Sequence, residues 1–454
     1  MPQPSDRYDF WDPAVVYVVG HQRPDTDAIA AALGYAWVLQ EDGQKEAVPV
    51  RAGQPGEQTR YALERFNQPA PKLLTGVAAT FHHVVEHMEP VSPDSSITEA
   101  LDRLGNEDHH VVPVVGPDGM PDGVVTPLAL ARAFARGLNG DALPKAGALL
   151  PLPTCKEVCD KVPTFSERTR ISDNRNVLLR EDGHQFLVVD EAGKYVGIAS
   201  QRRVLSPPRA RLVLVDHNEL TQAIAGAEEA EIIGVLDHHR LGNAPTAAPI
   251  PFIVDTVGST STLVAEQCRA KRLIPPRPIA GMLLSGILSD TLVFRSPTTI
   301  ERDKIAALWL AGVCQIDPYL YGKELLGASP GIASRTPADI IDSDRKEYEI
   351  GGVRVGVAQV EVTGRQGMAS LPERRAELLE ALDDRRHREG LALLCLMVTD
   401  VVSGKSRMLV QGEKNLINAL PFDATGTNEF DLEDVVSRKK QLVPALQNAI
   451  ESIK

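Results

Sequence analysis

Residues 14–40 run AVVYVVG (14–20), HQRPDTD (21–27) and AIAAALGYAWVLQ (28–40). The first segment is a continuous β-branched run, the pattern of a strand buried on both faces. A polar loop follows, then a stretch of strong helix formers. Strand, polar loop and helix in that order open a parallel α/β sheet. Two more buried-strand patterns lie far downstream, RLVLV (211–215) and EIIGVL (231–236). Each ends in charge, Asp216-His217-Asn218-Glu219 after the first and Asp237-His238-His239 after the second. In open parallel sheets chemistry gathers at the carboxyl ends of strands, so these three loops are expected to meet in one crevice. Helical patterns follow over 260–272, 277–289 and 301–314.

Residues 76–206 have a different texture. Two units repeat the order helix, strand ending in Val-Val, glycine turn, short strand, helix. The first is ITEALDRLGNEDHHVVPVVGPDGMPDGVVTPLALARAF (97–134), and the second centres on NVLLREDGHQFLVVDEAGKYVGIASQRRVL (176–205). A repeat of this size implies paired modules that bury a face against each other. The expectation is a domain inserted within the sheet, entered near Gly76 and left at SPPRAR (206–211), which leads into the strand before Asp216. After 326, GASPGIASRTP reads as a linker. Strands VRVGVAQVEV (353–362) and ALLCLMVTDVV (392–402), a helix around 370–388 and the basic SRKKQLVPAL (437–446) then predict a second α/β domain. The expected division is 1–75 and 207–326 for the first domain, 76–206 for the insertion, 327–335 for the linker and 336–454 for the last domain.

With 48 Lys and Arg against 61 Asp and Glu in 454 residues, the net charge is −13. That excludes an extended nucleic-acid surface but not a local basic pocket for a small anion. Apolar residues at 43% and charged residues at 24% exclude disorder. The five cysteines form no CxxC pair and are odd in number, which argues against a disulfide framework. No basic-then-apolar leader opens MPQPSDRYDF, and no apolar run approaches ~20 residues. The expectation is a soluble, cytoplasmic protein with no nucleic-acid or membrane partner.

His21, Asp25 and Asp27 fall within seven residues, and Asp216, Asp237, His238 and Asp290 sit at later strand or loop ends. Carboxylates mixed with imidazoles suit Mn²⁺, Co²⁺ or Mg²⁺ better than a thiolate site does. Two such ions sharing a carboxylate sit ~3.5–4 Å apart and acidify a bridging water. The plainer alternative has each Asp capping a helix and each His idle on the surface; recurrence of the pattern at strand ends weighs against it. Asp108-His109-His110 precedes a strand instead of ending one and is read as coincidence. Cys155 and Cys159 are read as small buried residues.

The motifs GHxxPDTDA (20–28), DHNE (216–219), DHHR (237–240) and SDT (289–291) together resemble the catalytic core of family II inorganic pyrophosphatases, of the DHH phosphoesterase superfamily. SRKKQ (437–441) resembles that family's substrate-binding signature, and the insertion resembles a pair of CBS domains. The resemblance implies a parallel-sheet catalytic domain and two Mn²⁺ or Co²⁺ ions. His21, Asp25 and Asp216 would hold one ion and Asp27, Asp216, His238 and Asp290 the other, with Asp216 bridging. It implies hydrolysis of pyrophosphate, entering with Mg²⁺, by a metal-bridging hydroxide. His239 would face the phosphate while Arg438 and Lys439 close over it. It also implies a homodimer and regulation through the CBS pair by AMP, ADP or ATP.

Two positions depart from the pattern. The family's lysine shortly after Tyr-Gly aligns with Gly327 here, leaving Lys323 or Arg335 as the expected substitute. In GVVTPLA (123–129) and GIASQRR (197–203), Ala129 and Arg203 stand where nucleotide-binding CBS repeats carry Asp, which leaves Arg202 and Arg203 either as phosphate contacts or as solvated surface side chains. Two other roles remain open on the sequence. One is a DHH phosphoesterase for oligonucleotides, cyclic dinucleotides or polyphosphate; such enzymes end in a glycine-rich motif with a histidine, which GGVR (351–354) lacks. The other is a catalytically weak nucleotide sensor.

Overall fold

The computed structural model describes residues 8–106, 110–139, 153–180, 185–242, 246, 248–328, 332, 335–342, 344–362, 364–400 and 404–452. Asp108 and His109 therefore lie outside the described residues, as does part of the expected linker.

Val16–Val19 is the centre of a six-stranded sheet. On one side it pairs with Arg211–Val215, then Glu231–Asp237 and Phe252–Val254; on the other with Ala47–Arg51 and Lys72–Leu73, all parallel. The β-branched runs have no polar face because both faces are covered. Val16 and Val18 point, with Val213 and Val215, into a core built with helices Thr26–Glu41, Thr260–Ala270, Arg277–Asp290 and Glu301–Cys314. Tyr17 and Val19 point the other way with Leu212 and Leu214. There they meet Phe81, Ile171, Leu178, Phe186, Val188 and Val204 of the 76–206 segment. The insertion is thus the second lid of the sheet and shares its core.

Within the insertion, Val112–Val115 pairs with Pro121–Val125, and Gln185–Val189 with Tyr195–Ser200, as two hairpins flanked by helices. The segment before each unit crosses to the other unit. Val85–Glu86 pairs with Tyr195–Ser200, and Asp160 bridges Val124. Met88, Val111, Val124, Leu187 and Ile198 form the shared core between the two units. Cys155 is buried and Cys159 partly so, both unpaired.

The chain between Asp216 and Glu231 touches both the crevice and the insertion. Gln22, next to His21, donates its amide N–H to the Gln222 carbonyl at 2.8 Å. Ala225 accepts from Val77 N at 2.8 Å, and Arg170 of the insertion pairs with Glu229 at 2.8 Å. Gly226 (φ 83°) lies against Ala78, where a Cβ would come 2.5 Å from the backbone nitrogen, so only glycine fits.

The last residues form a mixed sheet in the order Arg345–Ile350, Val353–Val362, Leu393–Asp400, Lys405–Gly412, Glu429–Leu432, Asp423–Gly426. Helix Gly364–Glu389 is the crossover between the parallel strands Val353–Val362 and Leu393–Asp400. It begins earlier than the 370–388 pattern, with Pro372 inside it. No helix among the described residues is long and apolar enough to cross a membrane.

Candidate active site

The crevice lies where the central strands end. Val19 leads through Gly20 to His21, Val215 to Asp216, and Asp237 to His238. Asp25 caps helix Thr26–Glu41 by accepting from Ala28 N at 2.9 Å through Oδ1, while its Oδ2 faces His21 Nε2 at 3.5 Å. Capping and site-facing roles coexist in one carboxylate. Asp27 follows on the first turn, fully buried. Asp290 closes helix Arg277–Asp290, and the backbone turns sharply after it, with Leu292, Val293 and Phe294 at φ 50°, 55° and 66°. Left-handed conformations at such side chains are strained and concentrate at functional sites.

Asp216 is the hub. Its own backbone is left-handed (φ 62°), its side chain is 1% exposed, and its two oxygens point to different histidines. Oδ2 lies 3.5 Å from His21 Nε2, and Oδ1 lies 3.4 Å from His238 Nε2. Asp290 Oδ2 is 3.6 Å from the same His238 nitrogen. The structure thus brings together His21, Asp25 and Asp216 as one set, and Asp27, Asp216, His238 and Asp290 as a second, each set able to place its ligand atoms within 4.8 Å of one another. His238 Nδ1 faces the Val257 carbonyl at 3.1 Å, which turns Nε2 into the crevice. That Nε2 is buried and has no hydrogen-bond partner among the described residues. A buried nitrogen without a proton partner, amid carboxylates, fits a divalent cation, and the oxygen–imidazole donor set fits Mn²⁺ or Co²⁺.

The electrostatics agree. Burial pulls His21 down, but Asp216 and Asp25 overcome it and push its pKa up to about 11. His238 is likewise pushed up to about 10, chiefly by Asp216 against the effect of burial. Burial raises Asp27 to about 7, and burial together with the carboxylates of Asp27, Asp25 and Asp216 holds Asp290 well above its usual range. Asp216 is held well below the usual range, despite burial, by His21 and His238. So many carboxylates cannot all ionise side by side without cations between them.

Several supporting residues carry no motif. Asp27 accepts from Ser259 Oγ (2.8 Å), Thr260 N (2.6 Å) and Ser261 N (3.0 Å), while Thr260 Oγ1 donates to Asp216 Oδ1 at 3.0 Å. Asp303 in turn fixes this loop, accepting from Gly258 N at 2.9 Å and Thr262 Oγ1 at 2.7 Å. The only signal in the sequence is the run GSTST (258–262), typical of a helix N-terminus. Gly286 allows the approach of the packed helix, since a Cβ there would meet Asp27 Oδ1 at 2.6 Å. Asp237 is fully buried and accepts from His239 Nδ1 at 2.9 Å, which leaves Nε2 of the half-exposed His239 directed outward.

Across from these residues lies the C-terminal domain, and a cleft of about 680 Å³ separates the two. Asp25, His239 and Asp290 line one wall; Arg335, Lys346, Arg438 and Lys439 line the other. In the SRKKQ turn, Gln441 Oε1 accepts from Val436 N and Ser437 N at 3.0 and 2.9 Å, which winds Arg438–Leu442 into a wide π-type turn. Lys439 is exposed there, whereas Arg438 is buried against Asp344. Of the two expected lysine substitutes, Arg335 lines the cleft, and Lys323 lines a separate pocket beside Phe294 and Tyr319. Gly327 ends helix Pro318–Gly327 with open space around its Cα.

The pattern of the DHH family, N-terminal domain, matches residues 15–287, and that of the DHHA2 domain matches 323–449. A probable manganese-dependent inorganic pyrophosphatase of Lactobacillus johnsonii is 38% identical over 53% of this chain and 78% of its own. The chain belongs to the DHH family, in its branch of manganese- and cobalt-dependent inorganic pyrophosphatases. This pyrophosphatase-family chain is also 25% identical to a cobalt-dependent inorganic pyrophosphatase of Clostridium perfringens, over 96% of this chain and 98% of that one. The crystal structure of a putative family II inorganic pyrophosphatase of Methanococcus jannaschii shares the fold, with a TM-score of 0.57 and 24% identity over 96% of this chain and 100% of that one.

Proposed function

We propose that the chain hydrolyses inorganic pyrophosphate to two orthophosphates. The observation that carries this reading is the carboxylate–imidazole cluster centred on Asp216 facing, across one cleft, the cations of the SRKKQ turn. His21, Asp25 and Asp216 would hold one Mn²⁺ or Co²⁺, and Asp27, Asp216, His238 and Asp290 a second. Such ions supply Lewis acidity and a water acidified towards neutrality. The chain's own residues do the rest. Ser259, Thr260 and Ser261 lock Asp27, and Thr260 locks Asp216, so that the ligands are preorganised. Asp237 holds His239 with Nε2 outward, where it can donate a proton to the leaving phosphate. Arg335 and Lys439, with the turn held by Arg438, take the negative charge of a substrate that brings Mg²⁺ with it. In this reading Arg335 fills the place of the family's lysine.

The insertion, read as a CBS pair, is the regulatory domain, and the division into 1–75 with 207–326, 76–206 and 336–454 follows that reading. Adenine nucleotides are its proposed ligands. Ala129 is buried, and Arg203 is engaged with Glu86, which leaves Arg202 as the cation open to a phosphate. We assign the protein to the cytoplasm, as a homodimer without nucleic-acid or membrane partners. Phosphate release from pyrophosphate with Mn²⁺ or Co²⁺ plus Mg²⁺, compared with Asp216→Asn, tests the reading. Equal rates in the two proteins would refute it.

A further inference from the structure

We propose that the pocket between the insertion and the sheet is where the insertion takes its ligand, an organic phosphate of up to nucleotide size; this deepens the regulatory reading above and rests on it. The pocket measures about 510 Å³. Small-molecule sites span about 300–1,000 Å³. Its floor is apolar, with Ile171, Leu178 and Val204 buried and Pro207 and Pro208 half-buried. Arg175 and Arg209 line it as well, together with Ser172 and Ser206. These four side chains are exposed, and neither the guanidiniums nor the hydroxyls have a hydrogen-bond or ion-pair partner among the described residues. The acids on the remaining wall, Glu228 and Glu229, are held by Arg170 at 3.6 and 2.8 Å.

An apolar floor beside two free guanidiniums and two hydroxyls suits a phosphate carried on an apolar, ring-bearing body. Guanidinium meets phosphate through paired N–H···O contacts, which a hydroxyl can supplement. The motif of the second repeat offers less, since Arg203 is engaged with Glu86 and Arg202 alone is left. Position gives the pocket its consequence. Arg209 stands on the junction that leads into strand Arg211–Val215 and Asp216. Glu228 and Glu229 lie near the end of the loop that begins at Asp216, just ahead of strand Glu231–Asp237 and His238. A ligand seated in the pocket therefore touches the chain on both sides of Asp216. Binding that favours one placement of that segment over another would bias the crevice.

The test uses the full chain loaded with Mn²⁺ or Co²⁺. Equilibrium dialysis gives the Kd of AMP and of adenosine for wild type, Arg175→Gln, Arg209→Gln, the double variant and Arg202→Gln. Charged hydrogen bonds to phosphate predict that the AMP Kd rises about tenfold in each single variant of Arg175 and Arg209, and about a hundredfold in the pair. Arg202→Gln should bind AMP as wild type does, and adenosine, without the phosphate, should bind weakly to all five proteins alike. In phosphate-release assays the ratio of rates with and without AMP should move towards one in the double variant. An AMP Kd unchanged in the double variant, a loss confined to Arg202→Gln, or wild type that takes up no AMP would overturn the assignment. AMP held through Arg175 and Arg209 without effect on the rate would remove the regulatory reading and leave the site standing. The same binding in a wild type that releases no phosphate from pyrophosphate would remove the hydrolase reading alone.

Discussion

The guanidinium of Arg438 donates to the main-chain carbonyl of Asp344 at 2.5 Å and to its carboxylate at 2.9 Å, across 94 residues of sequence. This contact joins the SRKKQ turn to the start of the strand that lines the cleft, and so fixes the wall of the cleft that carries Lys439. The Arg438 side chain is 9% exposed and the Asp344 side chain 54%. Solvent at the carboxylate moderates the loss of the pair, so Asp344→Ala should lower stability by about 1–2 kcal/mol. Urea unfolding will show this as a lower midpoint at constant slope. Asp344→Ala and Arg438→Ala should combine less than additively, because they remove one contact. Full additivity would mean the contact contributes nothing.

Thr260 donates to Asp216, and the same short run supplies Asp27 with hydroxyl and backbone donors. Thr260→Val keeps the shape and removes only the hydroxyl. Groups behind a ligand tune metal affinity by about 10- to 100-fold. Equilibrium dialysis against Mn²⁺ should therefore show an affinity about tenfold weaker in Thr260→Val. An unaltered affinity would assign Thr260 to helix capping alone.

His83 is packed on Trp11, with ring centroids 3.9 Å apart, and its Nδ1 accepts from Thr80 N at 3.0 Å. Burial, with His82 adding to it, lowers its pKa to about 4. The unfolded chain takes up this proton near pH 6.5, the folded chain only near pH 4. The unfolded state therefore binds more protons between these values, and stability is lost as pH falls through that window. Melting temperature measured from pH 7 to pH 4 should fall less steeply in His83→Asn than in wild type. Parallel slopes would contradict the neutral state of the partly buried His83.

Arg170 pairs with Glu229 at the far end of the loop that begins at Asp216. The junction SPPRAR was the connection legible in the sequence; this ion pair is a second one, visible only in three dimensions. If the insertion transmits a nucleotide signal, Arg170→Ala should bring the ratio of rates with and without AMP or ATP towards one, while the rate without nucleotide stays near wild type. A ratio equal to that of wild type would exclude this route.

The core of the site was legible because each candidate ligand follows a β-branched run or opens or ends a strongly patterned helix, where local sequence dictates local structure. His21, Asp25, Asp27, Asp216, His238 and Asp290 all fall in one crevice for that reason. What was not legible depends on contacts between distant segments. RKEYEI (345–350) alternates charged residues on both faces and carries no core signal, yet it is the edge strand that lines the cleft. Leu292-Val293-Phe294 has the composition of a strand, but tertiary packing holds it as a left-handed turn after Asp290. Covering of the sheet by the insertion could be anticipated only as a need, since an all-apolar strand says that both faces are buried and not what buries them.

The most direct test of the central claim is phosphate release from pyrophosphate by the full chain with Mn²⁺ or Co²⁺ and Mg²⁺, set beside Asp216→Asn. The geometry predicts metal-dependent turnover in wild type that falls by more than about a hundredfold in the variant, together with loss of bound metal. Absence of turnover from folded, metal-loaded wild type, or a variant that retains its rate, would contradict the assignment of Asp216 as the shared ligand of a pyrophosphate-hydrolysing centre.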